Sequence, residues 1–168
     1  MAILKIEKYP SLVLKKKTKI VKTIDDEIKK IVRDMFETMY KYNGIGLAAN
    51  QVGISLSIIV IDVKDKSFAP MVLINPEIKF LDKEKKVFEE GCLSFPGYYD
   101  KVARRHRVYV KFLDISGKAQ EIVAEGLLAR VIQHEVDHLK GVVFIQRMSF
   151  LRLAKFLTQY ILKNKKFE

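Results

Sequence analysis

A single cysteine, Cys92, leaves this chain with no partner for an intrachain disulfide and fits a reducing cytoplasm. Long apolar runs are also missing. The longest, over residues 54–61, is broken by serines and falls well short of the ~20 residues that cross a bilayer. The opening MAILKIEKYP has no apolar core of secretory-signal length, so a soluble protein that is not exported is expected. There is no internal repeat and no low-complexity stretch. Acidic charge is in short supply: 31 Lys and Arg against 20 Asp and Glu give a net charge of +11, which favours an anionic partner or surface. The basic runs at 15–17, 104–107 and 163–166 are short and carry too few interleaved aromatics for a nucleic-acid platform.

What is present is enough for one core. With 168 residues, 49% of them hydrophobic, a single domain spanning 1–168 is expected. Its most informative stretch is QHEVDHLKG at 133–141, which holds two of the three histidines. His134 and His138 are four apart, so on a helix they stand one turn apart on the same face and can share one metal ion. Glu135 is too near them along the chain to be a comfortable third ligand, yet it can reach a water on that ion, as a metal-assisted hydrolase requires. Leu128, Ile132, Val136 and Leu139 recur at helical spacing beside a stripe of Leu127, Val131, His134 and His138, and Gly141 is placed to end the helix. The histidines therefore sit on a largely buried helix, and a third ligand has to come from elsewhere.

Upstream, Thr23 is a candidate cap with Asp26 in the capping-box position, and Ile28, Ile31, Val32, Met35, Phe36 and Met39 follow the helical period until Asn43-Gly44. GIGLAANQVG at 44–53 is a small-residue loop carrying the amide Gln51. Residues 57–63 read as a buried strand, 71–74 as a short strand closed by Asn75-Pro76, and 85–89 as a strand running into EGCLSFPG at 90–97. Residues 107–113 and 118–123 alternate around an Asp114–Gly117 turn and form a hairpin. Residues 142–145 suggest one more strand. A last helix from about Ser149, roughly 149–168, has an apolar face of Phe150, Leu153, Ala154, Leu157 and Ile161, and a basic side with Arg152, Lys155, Lys163 and Lys166. Connections too short for repeated crossovers predict an α+β fold with mostly antiparallel sheets around a central HEXXH helix, an N-terminal amphipathic helix and a C-terminal helix.

GIGLAANQVG, EGCLSFPG and QHEVDHLKG, in that order, resemble the three motifs of bacterial peptide deformylases. The likeness extends through KYPSLVLKK, DMFETM, INPEI and GVVFIQR, nearly the whole chain. It implies one divalent metal ion on Cys92, His134 and His138, with Fe2+ expected in the cell and Zn2+, Ni2+ or Co2+ able to take the same donors. It implies Glu135 as the proton carrier, and the Gln51 amide and Leu93 N–H as oxyanion donors, in hydrolysis of the formyl group from the N-terminal formylmethionine of new proteins. Substrate contacts are implied at Ile45, Gly46, Phe88, Gly91, Leu127 and Val131, with Glu90 and Arg104 as a supporting ion pair and Arg130 near the methionine pocket. A cytoplasmic monomer acting on nascent peptides is expected, with the basic last helix as a possible contact to ribosomal RNA and no membrane attachment. Two rival readings are a zinc endopeptidase using HEVDH with a carboxylate ligand, and a basic RNA-binding module with a structural metal.

Overall fold

A computed structural model describes residues 2–164, with side chains as far as residue 160. The first long element, α1 (Asp26–Lys41), is capped by Asp25, whose carboxylate accepts the Ile28 N–H at 3.0 Å. The cap thus lies two residues beyond Thr23, because Asp25 is the residue in extended conformation just before the first turn. Ile28, Val32, Met35 and Met39 are buried in one stripe, and Asn43 in the left-handed region ends the helix as expected.

Residues 44–53 are more ordered than a loop. They form β1 (Gly46–Ala48) and a tight 3-10 turn (Ala49–Val52) that carries Asn50 and Gln51. Then come β2 (Ile58–Ile61), fully buried, and β3 (Met71–Phe80), which runs straight through Asn75-Pro76. The expected stop fails for a physical reason. The register shifts between Ile74 and Glu77, accommodating a proline that cannot donate to the ladder. Asn75 turns aside there, accepting from Val21 N–H at 2.9 Å and donating to Val21 C=O at 2.8 Å.

The strands β4 (Lys85–Gly91) and β5 (Tyr99–Arg105) pair as a separate hairpin. The predicted hairpin follows as β6 (Arg107–Leu113) and β7 (Ala119–Glu125), closed by a 3.0 Å bond from Gly117 N–H to Asp114 C=O. The larger sheet has the antiparallel order β1-β2-β3-β6-β7.

Against this sheet lies α2 (Gly126–Leu139), buried from Leu128 to Leu139. Leu128, Ile132, Val136 and Leu139 pack with Ile59, Leu73, Val108 and Val110. Gly141 follows at φ 73°, donating to His138 C=O at 2.9 Å, and a Cβ there would lie 2.5 Å from the Lys15 carbonyl oxygen, so both conformation and space require glycine.

Residues 142–145 are not a strand. Val143, Phe144 and Ile145 are buried in a cluster with Leu14 and Phe95, and Phe144–Arg147 form a 3-10 turn held by a 2.8 Å bond from Val143 N–H to Gln146 Oε1. The last helix, α3 (Phe150–Asn164), seats a different face from the one expected. Phe156 is buried and packs edge-to-face with Tyr9, Phe95 and Tyr98, with Leu153 and Tyr160 beside it, while Phe150 and Leu151 are exposed. Interlocking rings outweigh the simple apolar count. Ile161 of the expected apolar face, and Lys163 and Lys166 of the expected basic side, fall outside the described side chains.

Candidate active site and metal centre

Helix α2 presents His134 and His138 with ring centroids 5.1 Å apart, and the chain leaving β4 brings Cys92 to them. The ligand atoms of the three all lie within 4.8 Å of one another, and Cys92 Sγ is 3.2 Å from His138 Nε2. Both imidazoles are buried, but their proton affinities diverge. Burial opposes the charge on His134, yet its bonds to Cys92 and Glu90 outweigh that and raise its pKa to about 10. Burial, followed by repulsion from His134, drives His138 well below the ordinary value. One sulfur and two imidazole nitrogens gathered this closely are a donor set that suits one metal cation.

Glu90 sits behind His134, 3.0 Å from its Nδ1. It accepts from Arg104 at 2.7 and 3.0 Å and from Arg130 at 2.6 Å. Burial opposes its ionisation, but His134 and Arg104 hold its pKa down at about 2. Arg104 also donates to Asp137 at 2.7 Å, and Asp137 in turn receives Arg147 at 2.6 and 3.0 Å. The expected Glu90–Arg104 pair is therefore part of a larger buried network.

Glu135 is 4% exposed, and its Oε2 has no protein partner. Desolvation raises its carboxyl to about 7. Gln51 is 2% exposed and fixed at both ends: Oε1 accepts from Ala48 N–H at 2.9 Å, and Nε2 faces Cys92 Sγ at 3.4 Å and Ser94 Oγ at 3.3 Å. The neighbouring Asn50 donates to the His138 carbonyl at 2.6 Å, tying the turn to the end of α2.

These groups open onto a cleft of about 1110 Å3 lined by Ile45, Gly46, Gly91, Leu93, Leu127 and Val131, together with Gln51, Cys92, His134 and Glu135. Of the expected substrate contacts, Phe88 is the exception. It is 57% exposed and does not line the cleft, whereas Arg130, whose guanidinium is 5.0 Å from the Phe88 ring centroid, does.

The family model for polypeptide deformylases matches residues 3–153. This chain belongs to that family. Peptide deformylase 1 of Pseudomonas syringae is 51% identical over 152 residues, 90% of each chain. The peptide deformylase of Thermodesulfovibrio yellowstonii is 48% identical over 99% of this chain and 100% of its own. The Synechococcus elongatus peptide deformylase, solved in complex with actinonin, superposes with a TM-score of 0.86 at 45% identity, over 93% of this chain and 85% of that one. The α+β architecture of this deformylase-family chain, with antiparallel sheets and three α-helices among the described residues, agrees with the sequence reading.

Sequence reasoning missed Ser94, Asp137 and Arg147. A signal existed for Asp137. With Arg130, Gln133 and His134 it forms a polar stripe at helical spacing on a buried helix, where unpartnered polar groups are costly.

Proposed function

We propose that this chain hydrolyses the formyl amide on the N-terminal methionine of newly made proteins, releasing formate and a free amine. The observation that carries this reading is the convergence of Cys92, His134 and His138 within 4.8 Å, beside Glu135 and Gln51, in a cleft of a deformylase-family chain.

The donor set fits one divalent ion. Cys92, His134 and His138 would hold it through one sulfur and two imidazole nitrogens, which lie within 4.8 Å of one another, with Cys92 Sγ 3.2 Å from His138 Nε2. Three protein donors leave a fourth position open, the pattern of catalytic sites. When bound, such an ion supplies Lewis acidity toward the formyl oxygen and lowers the pKa of water beside it. Two nitrogens and a sulfur suit Fe2+, Zn2+, Ni2+ or Co2+, and we assign Fe2+ in the cell on the family resemblance. Oxidation of the Cys92 thiolate would then disable the site in air.

Glu135 takes a proton from the attacking water and returns it to the leaving nitrogen, a task for a buried carboxyl whose Oε2 has no protein partner. Gln51 Nε2 and the Leu93 N–H stabilise the oxyanion. Because Oε1 of Gln51 is committed to Ala48, its donor end is the one turned toward Cys92.

The nascent chain lies in the cleft as an added strand. Support comes from two edges: β1 ends its sheet, and β4 pairs with β5 alone among the described residues. Backbone contacts fall at Ile45, Gly46 and Gly91, and the methionine side chain among Ile45, Leu127 and Val131. We place this work in the cytoplasm, on peptides leaving the ribosome, by a monomer. Exposed Arg152 and Lys155 on α3 are the candidate RNA contacts. No helix among the described residues is long and apolar enough to cross a membrane.

The test is formate release from a formylmethionyl peptide by the anaerobically prepared protein and by its Glu135→Ala form. Release by the first and none by the second is expected. Cleavage of internal peptide bonds, or salt-sensitive RNA binding with no formate release, would overturn the reading.

A further inference from the structure

The β4–β5 hairpin carries Cys92, yet it belongs to no larger sheet among the described residues. An isolated two-stranded hairpin is marginal in water. Much of β4 faces solvent, with Val87 58% and Phe88 57% exposed. Something outside the hairpin must therefore fix where β4 delivers the thiol.

Helix α2 does this with one polar stripe. Gln133 holds β5 at its far end, through the Arg105 N–H at 3.1 Å and the Arg105 C=O at 2.9 Å. Asp137 holds Arg104, also on β5. Arg130 is different. Its side chain, 10% exposed, donates to Glu90 Oε1 at 2.6 Å, to Val102 C=O at 3.1 Å and to Lys86 C=O at 2.7 Å, and lies 5.0 Å from the Phe88 ring centroid. Lys86, Phe88 and Glu90 are alternate residues of β4, and Val102 is the register partner of Phe88 on β5. One planar fork therefore grips both strands, with three of its four partners on the strand that ends one residue before Cys92.

We propose that Arg130 is a positioning residue, pinning β4 to the histidine helix so that the Cys92 thiol is held at bonding distance from His134 and His138. The inference rests on the metal site proposed above. Glu90 keeps Arg104 and His134 when Arg130 is removed, so the fork can be lost without stranding that buried charge. A lysine at 130 retains charge but cannot reach both strands at once.

The experiment measures zinc affinity of the metal-free full-length chain by competition with a chromophoric chelator, under reducing conditions, at a temperature where circular dichroism shows each protein folded. Loss of groups that orient metal ligands typically weakens affinity ~10–100-fold. Arg130→Met should fall in that range, Arg130→Lys should be intermediate, and Arg107→Met, which removes an exposed pair with Glu125, should match the parent. Because affinity is read on folded protein, a role in stability alone would leave it unmoved. If Arg130→Met does not fold, Arg130→Lys decides. Parent-like zinc affinity in either folded variant would overturn the proposal, whereas failure of the parent itself to bind zinc would instead overturn the metal site.

Discussion

Gly46 offers a sharp test of how closely the site is built. It lies in β1 opposite Ile61, and its backbone is not in the left-handed region, so alanine is conformationally acceptable there. The obstacle is space. A Cβ on Gly46 would lie 2.6 Å from Glu135 Oε1 and 2.7 Å from Val131 Cγ1, both inside the 3.0 Å that real Cβ atoms observe. Restoring ordinary contact requires Glu135 or the strand to yield by roughly 1 Å, and a displacement of that size at a reacting group costs ~100-fold in rate. That factor corresponds to ~2.7 kcal/mol of activation free energy. Overpacking adds ~1–3 kcal/mol of lost stability. Gly46→Ala should therefore fold, retain its metal, and release formate about 100-fold more slowly than the parent when assayed at saturating formylmethionyl peptide. Parent-like turnover in a folded Gly46→Ala protein would refute the idea that Glu135 acts from this position.

Other consequences are equally concrete. Gln51→Ala should lose ~2.7–4 kcal/mol of transition-state stabilisation and, because the buried Ala48 N–H loses its acceptor, ~1–3 kcal/mol of stability as well, checked by kcat on the folded protein and by calorimetry. Arg104→Met removes the cation shared by the buried Glu90 and Asp137, but Arg130 and His134 remain on Glu90 and Arg147 on Asp137, so the loss in urea unfolding should fall between the ~0–1 kcal/mol of a surface pair and the ~3–5 kcal/mol of a stranded buried charge. Asp34 is held below its ordinary carboxylate value of 3.8 first by the Ala2 N–H and then by Lys30. A depressed carboxyl contributes stability above its unfolded pKa and loses it as pH falls through the folded one. The gap in thermal midpoint between parent and Asp34→Asn should thus be constant near neutrality and close progressively as pH drops below 3.8.

The legible parts of the sequence are those where one physical signal dominates. Periodicity revealed α1 and the histidine helix, and strict alternation around Asp114–Gly117 revealed the β6–β7 hairpin. Asn75-Pro76 misled because a bulge, with Asn75 bonded to Val21, absorbs a dipeptide that locally reads as a stop. β5 was hidden because its sequence, YDKVARR, is charged: Arg104 goes inward to Glu90 and Asp137, contacts distant in sequence. Residues 142–145 look like a strand by composition, yet are drawn into an aromatic cluster. Within the site, the spacing of His134 and His138 gave half of the geometry, and only the three motifs taken together pointed to Cys92. The reach of Arg130 across the hairpin, to the Lys86 carbonyl and the Phe88 ring, was not legible because it is set by tertiary packing.

Cobalt loading tests the central claim most directly. The account predicts that the metal-free chain takes up one Co2+ with an intense sulfur-to-cobalt absorption, and that folded Cys92→Ala loses both that band and most of its affinity. A Cys92→Ala protein that binds the ion as tightly as the parent, or a parent complex with no thiolate band, would contradict it.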